Sequence, residues 1–119
     1  MSASEYRHSR PAALLETVGG SCDTFKLLVD IFKRDTEDKL AKMRQALANG
    51  DRAQLAFQTH ALKGTVGPTG ADVLLQQLVD LEVACKDPQG AVDETTFAQI
   101  EQQVGQIREE LECFVATMT

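Results

Sequence analysis

Apolar residues recur at spacings of three and four along nearly all of the chain after Arg10, which is the period of an α-helix. No segment shows sustained alternation of apolar and polar residues, so strands are not expected. A short helix is predicted from Pro11 to about Val18, because proline suits the first turn of a helix and Gly19 and Gly20 would end it. The pattern therefore predicts an all-α protein.

Four longer helices follow, and two short segments separate the first three of them. Ser21 is a suitable cap for the first, and Gly50 and Asp51 end it and begin the second. Pro68 removes a backbone donor, so the second should end by about Val66. The apolar stripes of the four helices are Phe25, Leu28, Val29, Phe32, Leu40, Met43 and Leu47; Leu55, Thr59, Leu62 and Val66; Leu74, Leu75, Leu78, Leu81 and Cys85; and Phe97, Ile100, Val104, Ile107, Leu111, Phe114 and Met118.

Long helices joined by short connections predict an antiparallel up-down four-helix bundle, with the additional short N-terminal helix packed against it. We expect residues 1–10 to form a flexible N-terminus and residues 11–119 to form a single bundle domain. A chain of 119 residues is enough for one core but leaves little room for a second.

The charge and composition exclude several classes of function. A net charge of −6 argues against a nucleic-acid-binding protein, which needs clustered Lys and Arg in excess. Apolar runs fall far short of a bilayer span, so membrane insertion is not expected, and the N-terminus lacks the apolar core of a signal peptide. Cys22, Cys85 and Cys113 are widely spaced, which predicts reduced, mostly buried thiols in a cytoplasmic protein.

His60 stands out because it should face away from the core. At 100° per residue, it lies about 130° from the middle of its helix's apolar stripe. Its neighbours on that face are small: Ala53, Ala56, Gly64 and Gly67. Glycine inside a helix lowers its stability by about 1 kcal/mol relative to alanine, so the glycine at position 64 calls for an explanation. One explanation is that it leaves space for the backbone of another protein. Lys63, at the shoulder of this face, would attract an anionic group.

Two chemical readings of His60 are poorly supported. No His or Cys lies three or four residues from it, and the other histidine is His8 in the N-terminal segment, so we predict no metal site. No glycine-flanked serine elbow is present either, which argues against a hydrolase triad. From the residues alone, an accessible imidazole nucleophile and an ordinary surface histidine near a helix end remain alternatives.

The stretch "HALKG" (His60–Gly64), followed by Gly70 and "LVDLE" (Leu78–Glu82), resembles the histidine-containing phosphotransfer (HPt) domain of two-component phosphorelay signalling. "LLETVGG" near the start and the spacing from Asp51 to His60 resemble it too. The resemblance implies that His60 accepts a phosphoryl group from a receiver-domain aspartate and relays it to another receiver. Lys63 would supply a neighbouring cation, and Gly64 would provide steric access.

The same resemblance implies a phosphocarrier intermediate rather than an enzyme, without ATP-binding or autokinase machinery. The chain would need no cofactor of its own, because Mg²⁺ would come from the receiver partner. Its partners would be a response-regulator receiver domain and a hybrid sensor histidine kinase, and it would act as a monomer. The alternative is a docking module that binds a receiver or signalling partner without carrying phosphate.

Three positions depart from the family pattern, and three others are candidates for docking. Pro68 and Thr69 stand where small and aliphatic residues are usual, and Leu78 stands where cysteine is frequent, so we expect altered local geometry after the His60 helix. For the receiver-docking surface we predict three residues near His60: Phe57, Ala56 and Gly67. Phe57 lies about 170° from the core stripe and should be its apolar anchor.

Overall fold

The computed structural model describes residues 6–118, and the regular secondary structure in that range is entirely helical. The helices are α1 (Pro11–Thr17), α2 (Cys22–Ala48), α3 (Arg52–Val66), α4 (Asp72–Lys86) and α5 (Glu94–Ala116), with a 3₁₀ turn at Gly67–Thr69 between α3 and α4. The predicted boundaries are confirmed, including the end of α3 at Val66. None of these helices is long and apolar enough to cross a membrane.

The four long helices form one bundle, as predicted. Helix α2 packs against α3 and α5, and α4 packs against the same two helices, while α1 lies at one end against α2, α5 and the 3₁₀ turn. Most of the predicted stripe residues are buried, and the half-buried ones pack against the core: Leu28, Leu47, Leu75, Phe114 and Met118. The largest fully buried side chains are Phe25, Met43, Leu55, Leu62, Leu74, Leu78, Ile100, Ile107 and Leu111.

Side-chain caps and a glycine turn fix where α2, α3 and α5 begin. The side chains of Ser21, Asp51 and Asp93 each accept a hydrogen bond from the backbone N–H three residues later. Gly50, between α2 and α3, has a φ of +67°, the left-handed conformation that glycine adopts without strain. This tight turn makes α2 and α3 antiparallel neighbours, as the sequence predicted.

Arg52, the first residue of α3, ties down the loop that follows α4. Its guanidinium donates to the carbonyl oxygens of Ala84 at 2.9 Å, Asp87 at 3.0 Å and Gly90 at 2.6 Å. A helix leaves its last carbonyl groups without intrahelical partners, and Arg52 of the neighbouring α3 supplies a donor to one of them, the carbonyl of Ala84. The contact fixes the end of α4 against the start of α3.

The segment before α1 is held on the bundle by Glu110 of α5. The backbone N–H groups of Arg7, His8 and Ser9 donate to the Glu110 carboxylate, and so does the Ser9 hydroxyl, at 2.7 Å. The expected flexible N-terminus spans residues 1–10, of which residues 1–5 lie outside the described residues. Nothing in the sequence pattern indicated that residues 7–9 would bind a buried carboxylate.

The expectation of mostly buried cysteines is wrong. Cys85 is buried in α4, but Cys22 and Cys113 are exposed, and all three are free thiols. Cys22 is the first residue of α2 and precedes its apolar stripe. Cys113 follows the buried Leu111 by two residues, which turns its side chain away from the core side of α5.

Candidate functional site

His60 projects from the middle of α3 into solvent, with 70% of its side chain exposed. The opposite side of the helix is anchored in the core, where Leu55 and Leu62 are buried. Thr59 is also fully buried and satisfies its hydroxyl by donating to the carbonyl oxygen of Leu55 at 2.7 Å. The buried face fixes the rotation of α3, and the predicted outward direction of His60 is confirmed.

The imidazole lies against Glu82, which reaches across from α4. The distance from His60 Nδ1 to Glu82 Oε2 is 3.2 Å. The Glu82 side chain is only 12% exposed, and two lysines surround it: Lys63 Nζ is 2.7 Å from Oε1, and Lys86 Nζ is 3.1 Å from Oε2. Three nitrogen atoms therefore converge on one carboxylate, and they come from both helices of the α3–α4 pair.

This environment keeps the Glu82 carboxylate ionised. The hydrogen bonds from Lys63 and then from Lys86 lower the pKa of Glu82 from 4.5 to about 2, against the opposing effect of burial. At neutral pH Glu82 is thus an acceptor only, and the nitrogen facing it must carry the proton. A neutral His60 therefore has its proton on Nδ1, so that Nε2 keeps a free lone pair.

The space beyond the imidazole is open. No heavy atom of residues 6–118 outside the local helix backbone lies within 4 Å of a Cβ built at Gly64, and the same holds at Gly67. Both glycines are exposed, whereas Ala56 is half-buried and packs against the core. Packing within the chain does not explain the glycine at position 64, since an alanine there would meet nothing.

Several apolar side chains are exposed on α2, α3 and α4. Phe57, one turn before His60, is 67% exposed, as expected from its position on the helix. Val79 and Val83 are exposed on α4, and Leu27 and Ile31 are exposed on α2. An exposed phenylalanine next to a reactive side chain is typical of a contact surface for another protein.

Three basic side chains in the second half of α2 are already paired with acids. Lys39 pairs with Asp35, and Lys42 pairs with Asp38 at 3.1 Å, one turn away in each case. Arg44 pairs with Glu101 of α5. A solvated helix face is therefore the better description of Lys39, Lys42 and Arg44 than a positively charged docking surface.

Sequence reasoning placed His60, Lys63 and Gly64 correctly on one side of α3 but missed Glu82 and Lys86 as parts of the site. Glu82 entered only as the last letter of the "LVDLE" stretch, with no role attached. One signal was available: Glu82 and Lys86 lie four residues apart, so they share a helix face. Their position opposite His60 depends on how α3 and α4 are aligned across the Gly67–Thr69 turn, which the periodicity does not specify.

The described residues contain no group of three or more His, Cys, Asp or Glu side chains that could hold a metal ion. The chemical content of the site is therefore an exposed imidazole, one ionised carboxylate and two ammonium groups. This set suits a nucleophile that receives an anionic group, since the ring has a free nitrogen and cations lie next to it.

Comparison with known proteins agrees with this description. The sequence profile of the Hpt domain matches residues 27–110. The fold is similar to the crystal structure of histidine-containing phosphotransfer protein B (HptB) from Pseudomonas aeruginosa PAO1, with a TM-score of 0.82 and 23% sequence identity over 95% of this chain and 98% of that one. No curated protein sequence gives a significant match. The chain belongs to the Hpt domain family, the histidine phosphotransfer domains of phosphorelay signalling.

Proposed function

We propose that His60 accepts a phosphoryl group on Nε2 from the aspartyl phosphate of a receiver domain and passes it to a second receiver. The observation that carries this proposal is the contact between His60 Nδ1 and the ionised Glu82. It leaves Nε2 unprotonated on a side chain that is 70% exposed, and an accessible lone pair is what a nucleophilic nitrogen needs.

The step conserves atoms and charge. The Nε2 lone pair attacks phosphorus, the Nε2–P bond forms, the P–O bond of the aspartyl phosphate breaks, and the aspartate leaves as its carboxylate. The Nδ1 proton stays where it is, so positive charge develops on the imidazole ring. The negative charge of Glu82, at 3.2 Å, stabilises that charge, much as an aspartate stabilises the histidine of a serine-protease triad.

Lys63 and Gly64 support this transfer in different ways. Lys63, three residues after His60 on the same helix, supplies positive charge for the phosphoryl oxygens. Gly64 leaves the space in which the receiver's backbone approaches the ring. In-line phosphoryl transfer depends mainly on positioning and charge neutralisation, so the Mg²⁺ and its acidic ligands are assigned to the receiver. The chain then acts as a carrier, not as a kinase.

The docking surface is proposed to centre on Phe57, with Gly67 and the less accessible Ala56 beside it. Phe57→Ala removes an exposed side chain, so the stability of the bundle should change by less than about 0.5 kcal/mol. Receiver affinity should fall, and isothermal titration calorimetry would measure it. Val73→Ala is a matched control, since Val73 is also exposed, lies near the start of α4 and is not part of the proposed surface. Equal affinity in wild type and Phe57→Ala would rule out the anchor.

The transfer itself is tested by incubating the protein with a phosphorylated receiver carrying ³²P. We expect acid-labile, base-stable label on this chain, its loss in His60→Gln, and its retention in the control His8→Gln, which removes the other histidine. Addition of a second, unphosphorylated receiver should then discharge the label. Binding of the receiver without any label would contradict the relay and favour a docking module.

A further inference from the structure

Lys86 has no role in the family motif or in the transfer step as described above. It is the last residue of α4, one turn beyond Glu82, and its side chain is 68% exposed. Its Nζ atom contacts Glu82 Oε2, the same oxygen that faces His60 Nδ1. The ammonium group therefore lies within two hydrogen-bond lengths of the imidazole, although it comes from the neighbouring helix.

The balance of charge changes when His60 is phosphorylated. At rest, two ammonium groups share one carboxylate, with Lys63 held at 2.7 Å from Oε1 and 26% exposed. A phosphoryl group adds nearly two negative charges to the same site. If Lys63 were the only cation, it could pair with the phosphoryl oxygens or with the Glu82 carboxylate, but not fully with both. The unpaired anion would then be repelled by the other anion.

Lys86 is placed to resolve that competition. Its pair with Glu82 spans one turn of a single helix, so it does not depend on where Lys63 or His60 moves. Lys63 lies on the helix of His60 itself, three residues away, and shares the imidazole's side of α3. Of the two cations, Lys63 is thus the one positioned to follow the phosphoryl group, and Lys86 is the one able to remain.

We infer that Lys86 is a positioning residue of the transfer site: it keeps Glu82 neutralised when Lys63 turns to the phosphoryl oxygens of phosphorylated His60. This inference rests on the proposed function, because it concerns the phosphorylated state of the same histidine. It assigns the two lysines different tasks, with Lys63 on the phosphoryl group and Lys86 on the carboxylate that orients the ring.

The test uses phosphoramidate as a small phosphoryl donor, so no receiver is needed. His60 Nε2 attacks its phosphorus, and ammonia leaves. The ³¹P NMR signal of the phosphorylated protein is then followed against pH, which gives the midpoint at which the phosphoryl group loses its last proton. In Lys86→Met, Lys63 returns to Glu82, so the fully ionised phosphoryl group loses its neighbouring cation. The midpoint should therefore rise by about 0.3 to 0.7 pH unit, which corresponds to the energy of one exposed ion pair.

Matched variants separate this role from a general effect of charge or fold. Lys86→Arg should titrate like wild type, and so should Lys42→Met, which loses the same charge from a one-turn pair with Asp38 on α2. In a Glu82→Gln background, Lys86→Met should cause no further rise, because Lys86 acts through the carboxylate. Circular dichroism checks that each variant is folded.

Two results would overturn the inference while leaving the proposed function intact: an unchanged midpoint in Lys86→Met, or a rise that persists in the Glu82→Gln background. The second result would mean that Lys86 contacts the phosphoryl group directly. Absence of any phosphohistidine signal that depends on His60 would instead overturn both the proposed phosphoacceptor and the role of Lys86. The outcomes are therefore distinguishable within one set of spectra.

Discussion

Replacing Glu82 with glutamine tests the cluster of charges that orients His60. Glutamine has nearly the same shape and still offers an oxygen acceptor, but it carries no charge. In the native protein Lys63 and Lys86 lower the pKa of Glu82 from 4.5 to about 2, and the full difference corresponds to an upper limit of about 3 kcal/mol of stabilisation. The cluster lies at the surface, where each ion pair contributes about 0.2 to 1 kcal/mol, so loss of the two lysine pairs should cost about 0.5 to 2 kcal/mol.

The pH dependence of this loss is its signature. Because the pKa of Glu82 is lower in the folded protein than in the unfolded chain, the carboxylate stabilises the fold fully above about pH 4.5 and progressively less as the pH falls towards 2. The free energies of unfolding of wild type and Glu82→Gln in urea should therefore differ by about 0.5 to 2 kcal/mol at pH 7, and the two should converge near pH 2. Comparing the two proteins cancels the titration of the other carboxylates.

Asp80→Asn is the matched control, since Asp80 lies on the same helix, is exposed and accepts a hydrogen bond from Gln76. It should change stability by less than about 0.5 kcal/mol at either pH. A difference between wild type and Glu82→Gln that stays constant from pH 7 to pH 2 would refute the electrostatic reasoning. So would equal stability of the two proteins at pH 7.

Three further predictions concern local features of the fold. Gly64→Ala should stabilise the protein by about 0.5 to 1 kcal/mol, because a Cβ there meets nothing in residues 6–118. It should nevertheless slow transfer from a receiver but not from phosphoramidate, and equal slowing of both would contradict the steric role. Gly70→Ala should instead destabilise the protein by about 1 to 2 kcal/mol in thermal unfolding, because φ at this position is +72° and the new Cβ would lie 2.9 Å from the side chain of Arg10. Unchanged stability would argue against this close packing. Arg52→Met loses three hydrogen bonds to the end of α4 and the loop after it, and should lower the free energy of unfolding in urea by about 1 to 3 kcal/mol. A loss below about 0.5 kcal/mol would mean that water replaces these hydrogen bonds.

The features of the fold that could be predicted are those that follow from the local rules of helix formation. Pro11, Ser21, Gly50 and Asp51 each act on the backbone within a few residues, so their effects are visible in the sequence, and the helix boundaries followed from them. The outward direction of His60 likewise needed only the 100° rotation per residue.

The parts that were missed depend on contacts between distant segments. Glu82 lies 22 residues after His60, and their meeting requires the relative height of α3 and α4. The binding of the segment before α1 to Glu110 spans about 100 residues. Exposed cysteines were missed for a different reason: burial of cysteine is a tendency of the residue type, whereas Cys22 and Cys113 lie off the apolar stripes of their own helices.

The central claim is that Nε2 of His60 receives the phosphoryl group while Nδ1 stays protonated against Glu82. The most direct measurement is a ¹⁵N-edited NMR spectrum of the ¹⁵N-labelled protein after phosphorylation. We predict ³¹P coupling to Nε2 of His60, with Nδ1 showing the chemical shift of a protonated ring nitrogen. Coupling to Nδ1, or phosphohistidine signals that remain in His60→Gln, would contradict the account.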